Sequence, residues 1–216
     1  MYNTIKKYAD DHHVTLVAVS KTKPNEEILR LYNEGQRIFG ENKVQELVEK
    51  YEPLPKDIQW HLIGHLQKNK VKYIAAFVSM IHSVDSQPLL KTIDKEAAKH
   101  HRIIPVLLQF HIATEDTKFG LDLPEAHEIL DDLKKNPLPN VQIWGVMGMA
   151  TFTNDVRVIK KEFKSLKAIF DTIKEQHGSA LPYFKEISMG MSGDYGIAID
   201  EGSTMIRIGS AIFGER

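Results

Sequence analysis

The sequence contains no cysteine. Disulfides, thiolate metal sites and cysteine nucleophiles are therefore excluded, and a reducing cytoplasm is the natural location. Excess charge of either sign is missing too: 28 basic residues face 29 acidic ones, for a formal net charge of −1. Such a balance gives no electrostatic reason to expect a nucleic-acid partner or an anionic membrane. No apolar run approaches the ~20 residues that span a bilayer. The N-terminal Met1-Tyr2-Asn3-Thr4-Ile5-Lys6-Lys7 carries no signal-peptide core. Low-complexity tracts and long linkers are absent; Pro137-Leu138-Pro139-Asn140 is the most loop-like stretch and is too short to separate domains. What is there is 216 residues with 42% hydrophobic content. That suits one soluble domain with a large core, or at most two small ones.

Strand-like and helix-like segments alternate along the chain. Apolar runs at 16–20, 37–39, 58–63, 80–82, 103–112, 141–146, 183–188 and 205–208 read as strands. Helical patterns follow them at 25–34, 42–51, 66–77, 87–100, 123–135, 155–177, 194–200 and 211–215. Strict alternation implies a parallel sheet. Eight such units in about 200 residues fit the lower size range of a (β/α)8 TIM barrel. A doubly wound open sheet is the alternative, although no Gly-x-Gly-x-x-Gly follows the first strand. In a barrel, active groups sit at the C-terminal ends of strands, and loops after strands seven and eight often bind phosphate.

Lys21 falls at the end of the first strand, in Leu16-Val17-Ala18-Val19-Ser20-Lys21-Thr22-Lys23-Pro24. An amine between hydrocarbon and solvent is partly desolvated, which frees its lone pair for Schiff-base chemistry; the bland alternative is a lysine pointing to water. After strand seven comes the loop Ser188-Met189-Gly190-Met191-Ser192-Gly193-Asp194, and after strand eight Gly209-Ser210. Glycine backbone, hydroxyls and helix starts suit a phosphate, and ordinary βα turns are the competing explanation. Arg207 alternates with Ile206 and Ile208 and so faces away from both; it either meets an acceptor at the barrel mouth or snorkels outward. Asn42 is suited to cap a helix or to touch a ligand. His61 and His65 lack the helical frame of a metal pair, and metal binding is not expected. Met147, Met149, Met189 and Met191 fill core gaps or pack against a flat ring.

Taken in order, several segments resemble the YggS/PROSC family of pyridoxal phosphate homeostasis proteins. They are Val17-Ala18-Val19-Ser20-Lys21-Thr22, Phe39-Gly40-Glu41-Asn42-Lys43-Val44-Gln45-Glu46 and Trp60-His61-Leu62-Ile63-Gly64-His65-Leu66-Gln67-Lys68-Asn69-Lys70. Ser83-Val84-Asp85, the 188–194 loop and Arg207-Ile208-Gly209-Ser210-Ala211-Ile212-Phe213-Gly214 complete the set. The resemblance covers nearly the whole chain. It implies a single barrel of the alanine racemase N-terminal type over 1–216, holding pyridoxal 5′-phosphate (PLP) as a Schiff base on Lys21. It further implies phosphate contacts at Ser192, Gly209 and Ser210, Arg207 near the pyridine nitrogen, and contacts from Asn42 and Met189.

Three departures stand out. Ser210 replaces a frequent threonine but keeps the hydroxyl. Gln109-Phe110-His111-Ile112 replaces a more usual Gln-Val-Asn-Ile, which changes the polarity at His111. The stretch before Leu16 is short, so the family's leading helix is expected to be clipped. The resemblance implies a cofactor carrier in place of an enzyme. An arginine beside the ring nitrogen makes a poor electron sink compared with a carboxylate, and the racemases' second domain and partner tyrosine have no counterpart expected here. The expected partners are PLP and recipient apo-enzymes, with no nucleic acid and no membrane, and the carrier is expected to be a cytoplasmic monomer. A weak racemase and a PLP-free Schiff-base aldolase are the competing activities.

Overall fold

The computed structural model describes residues 1–114 and 119–214. A leading helix, α1 (Tyr2–Asp11), precedes the first strand. Tyr2, Ile5 and Ala9 bury one face of it, and the Tyr2 hydroxyl donates to Gln36 Oε1 at 3.1 Å. These residues repeat at helical spacing, which supplies an apolar stripe for docking on the barrel.

Eight strands then close into a parallel barrel in chain order. They are β1 (Thr15–Val19), β2 (Ile38–Glu41), β3 (Gln59–Leu62), β4 (Met80–Val84), β5 (Ile104–Gln109), β6 (Val141–Met147), β7 (Glu186–Ser188) and β8 (Met205–Ile208). The helices between them are α2 (Asn25–Asn33), α3 (Val44–Tyr51), α4 (Gln87–Ala98), α5 (Leu123–Lys135), α6 (Val156–His177), α7 (Tyr195–Asp200) and α8 (Ser210–Phe213). Local chemistry starts the longer ones. Asp122 and Glu125 form a capping box at α5, and the Asp155 side chain accepts the Arg157 N–H at α6. Among the described residues, no helix is long and apolar enough to cross a membrane.

One expected helix is much reduced. The 66–77 pattern forms only a 3₁₀ segment, Lys68–Tyr73. Arg102 donates to the Ala75 and Val78 carbonyls at 2.8 and 2.7 Å, which fastens the chain just beyond that segment.

Strand alternation divides the apolar residues between two regions. Val17, Met80, Leu107, Met147 and Met205 fill the lumen as one cluster. Leu16, Ala18, Phe39, Ile81, Val106, Val146, Ile206 and Ile208 belong to the larger core between barrel and helices. The β5–β6 register slips between Val106/Ile143 and Leu107/Gly145, which marks a bulge at Trp144. Gly145 passes directly against β7: φ is +156°, and a Cβ would drive into the Glu186 carbonyl oxygen. Gly145→Ala is therefore expected to cost about 3 kcal/mol, by overpacking and backbone strain. Urea unfolding checks this; a loss within ~0.5 kcal/mol of wild type, the range of a neutral surface change, would contradict the close approach.

Candidate functional site

Lys21 leaves β1 on the lumen side. Val17 is a lumen residue and Leu16 and Ala18 are outer-core residues, so by alternation Lys21 follows Val17 and Val19 inward while Ser20 points to the helices. The amine is half-buried, and among the described residues it has neither a hydrogen bond nor an ion pair. Its backbone is tightly defined. The Lys23 N–H donates to the Ser20 carbonyl at 3.0 Å, and Thr22 adopts a left-handed φ of +64°. A β-branched residue rarely adopts that conformation.

The parallel pairing of β1 with β8 brings the last loops beside this turn. Ser192 Oγ accepts the Gly209 and Ala211 N–H groups, both at 3.3 Å. Gly209 lies against β1, where a Cβ would stand 3.3 Å from the Val19 carbonyl oxygen. A side chain there would need the β1 backbone to give by a few tenths of an ångström, and glycine avoids that crowding. Ser210 opens α8 and is exposed. Ser192, Gly209 and Ser210 are thus gathered at one rim with Lys21. Among the described residues two backbone donors there are answered only by a neutral hydroxyl at long range, and an anionic oxygen would satisfy them better. Nearby, Asp194 Oδ1 accepts the Met191 N–H at 2.5 Å. Burial pushes the Asp194 pKa up, opposed by that hydrogen bond and by the Arg207 charge.

Arg207 faces the lumen, opposite to Ile206 and Ile208 as alternation requires. It does not snorkel: it is 4% exposed. Nη1 donates to Ser188 Oγ at 2.6 Å and Nη2 to the Gly148 carbonyl at 3.1 Å. The chain of contacts continues across the lumen, from Ser188 Oγ to His82 Nδ1 at 3.0 Å and from His82 Nε2 to His61 Nδ1 at 2.9 Å. A guanidinium can only donate. The assignment that satisfies each group therefore runs one way: Arg207 to Ser188, Ser188 to His82, and His82 to His61. Burial lowers the pKa of His61 to about 3 and of His82 well below the usual imidazole value, the latter assisted by His61 and then by Arg207. Burial also lowers Arg207 to about 10, which leaves it cationic at neutral pH.

His61 thus turns away from His65, which stacks on Phe119 at 4.3 Å and lies 3.4 Å from Asp85. Among the described residues no cluster could hold a metal ion. Asn42 is not a helix cap, because Lys43 occupies that position at α3. The Asn42 amide is half-buried at the mouth with no hydrogen bond among the described residues. Met189 is not brought to the rim: it is fully buried in the core between barrel and helices. Sequence reasoning missed His82 and Ser188. Their only sequence signal was period-two placement in the lumen face of their strands.

Neutral buried imidazoles make stability depend on pH. The unfolded chain binds protons at His61 and His82 below about pH 6.5, whereas the folded chain does not until far lower. Stability is therefore full above pH 6.5 and falls as pH drops, by about 1.4 kcal/mol per pH unit for each imidazole. The fall between pH 6.5 and about 5, above most carboxylate titration, should be shallower in His61→Asn. Denaturant melts at several pH values measure it, and an unchanged slope would refute the buried neutral pair.

Comparison with known proteins agrees with this architecture. Residues 2–216 match the family described as alanine racemase, N-terminal domain. The pyridoxal phosphate homeostasis protein of Aquifex aeolicus is 39% identical over 202 residues, covering 93% of this chain and 86% of that protein. The mouse protein of the same name is 39% identical over 212 residues, covering 93% and 76%. The structure of PipY from Synechococcus elongatus with PLP bound superposes with a TM-score of 0.84 at 35% identity, covering 94% of this chain and 93% of that one. With its closed parallel barrel and this extent of similarity, the chain belongs to the pyridoxal phosphate homeostasis protein family, within the wider alanine racemase N-terminal domain group.

Proposed function

We propose that this protein binds PLP at the C-terminal mouth of its barrel, tethered through Lys21, and serves intracellular PLP homeostasis by buffering and handing over the cofactor without turning over a substrate. The observation that carries the reading is the meeting at one rim of the half-buried Lys21, whose amine has no partner among the described residues, and two backbone N–H groups that among those residues are answered only by Ser192 Oγ. These groups fit an aldehyde that carries a phosphate. The cofactor supplies a carbonyl that condenses reversibly with amines.

Each residue then has a physical task. Lys21 Nζ provides the amine. Ser192, Ser210 and the Gly209 and Ala211 amides grip the phosphate, and Gly209 keeps the approach to β1 clear. Asn42 supplies a free amide at the cofactor's face. Arg207, held by Ser188 and Gly148, donates to the ring nitrogen and cannot accept a proton from it. That keeps the ring a weak electron sink and favours retention over carbanion chemistry. Met189 fills core and takes no part in the grip. The homeostasis role named for the relatives at 39% identity supports a PLP carrier; a cytoplasmic monomer that passes PLP to apo-enzymes is the form we propose for it.

Purified protein is expected to show a visible chromophore after PLP addition, bleached by borohydride and absent in Lys21→Ala. Protein that stays colourless with PLP would end this reading. Alanine racemisation above the Lys21→Ala control would end its non-catalytic part. Ser192→Ala combined with Ser210→Ala should weaken PLP retention by about tenfold, the loss of roughly one hydrogen bond to a charged group, while leaving the absorbance maximum in place. Unchanged affinity on equilibrium titration would remove the phosphate from this rim.

A further inference from the structure

We propose that Lys50, together with Glu41 and Glu46, positions Lys21 from outside the lumen, so that cofactor retention depends on an ion cluster that never touches the cofactor. The inference rests on the reading of Lys21 as the tether.

Lys50 lies on α3 with only 7% of its side chain exposed, and Glu41 at the end of β2 is fully buried. Its ammonium has three N–H groups, and all three are committed: to the Ser20 carbonyl at 2.7 Å, to Glu41 Oε1 at 2.8 Å and to Glu46 Oε1 at 2.7 Å. Glu41 Oε1 also accepts the Ser20 hydroxyl at 2.6 Å, and Glu46 Oε1 accepts the Thr22 N–H at 2.5 Å. The cluster therefore grips the residue before Lys21 at two atoms and the residue after it at one. Lys21 itself is left free to project the other way, into the mouth.

The energetics suit positioning better than stability. A buried ion cluster is often no better for stability than well-packed apolar side chains of the same size. Glu41 also keeps Oε2 buried without a hydrogen-bond partner among the described residues, and burial pushes its pKa up in spite of Lys50. Partial burial pushes Glu46 up as well, but the Lys50 and Thr22 hydrogen bonds outweigh it and hold the carboxyl below its usual range. What the cluster secures is the left-handed Thr22 (φ +64°). A β-branched residue stays in that region only where its surroundings over-determine it.

Glu46 is the place to test this. Its side chain is 22% exposed and borders a surface cavity with Thr22, Lys23 and Lys43, so truncation there opens no void in the core. PLP-loaded wild type, Glu46→Ala, Glu46→Gln and the charge-compensated Glu41→Gln/Lys50→Met variant are diluted, and PLP release is followed by decay of the bound absorbance. Melting temperatures are measured in parallel. Glu46→Ala should release PLP about tenfold faster, the worth of one hydrogen bond to a charged group. Glu46→Gln, which retains an acceptor oxygen for the Thr22 amide, should recover most of that loss. The double variant should stay folded and release PLP as fast as Glu46→Ala. Release from Glu46→Ala within about twofold of wild type, whether or not the melting temperature falls, would overturn the inference, since a lost hydrogen bond to a charge costs more. A wild-type protein that takes up no PLP on Lys21, read by mass after borohydride, would instead defeat the tether reading and this inference with it.

Discussion

Pairing of β1 with β8 is the constraint on which the mouth of this barrel depends. Leu16 lies opposite Ile206 and Ala18 opposite Ile208, joining the first strand to the last. A parallel pair cannot be made by a hairpin; it needs the whole circuit of strands and helices between. The circuit sets the Lys21 turn beside Gly209 and Ser192. Lys23 extends the seam, donating to the Phe213 and Gly214 carbonyls at 3.2 and 3.3 Å.

Around that seam the protein uses buried polarity in two separate ways. Inside the lumen, Arg207, Ser188, His82 and His61 form a single-file chain above an apolar plug of Val17, Met80, Leu107, Met147 and Met205. Outside it, Lys50 gathers Glu41, Glu46 and Ser20 between β2 and α3. Burying such groups costs free energy unless nearly every donor and acceptor is met. In both places a donor-only cation supplies the hydrogen bonds and sets the direction of the others. The lumen chain fixes one side of the mouth, and the outer cluster fixes the backbone from which the amine projects.

Much of the fold was legible in the sequence because its signals are local. Apolar β-branched runs and helical stripes alternate, and the 123–135 and 205–208 boundaries fall where the pattern puts them. Lys21, Gly209 and Ser210 could be marked because strand ends and βα loops have distinctive composition. The reduced 66–77 helix was not legible: only a 3₁₀ segment forms, and the Ala75 and Val78 carbonyls beyond it go to Arg102, a residue distant in sequence. His82 and Ser188 were also hidden, since an isolated histidine or serine in a strand says nothing about the residue it will face across a lumen. Asn42 and Met189 show the same gap. Residue type allowed each two roles, and only packing left the first free at the mouth and buried the second.

The sequence by itself determined the alternation of strand and helix, the absence of thiol chemistry and the kinds of group available at each strand end. These follow from side-chain periodicity and from the chemistry of individual residues, which need no partner to be read. Only the tertiary structure decided which of those groups meet. Barrel closure chose the neighbours of Lys21, lumen packing made His61 and His82 neutral and tied them to Arg207, and the Lys50 cluster set the turn that aims the amine. Such choices depend on contacts between residues far apart in sequence, and their energies arise from desolvation and hydrogen-bond geometry that exist only once the chain has folded.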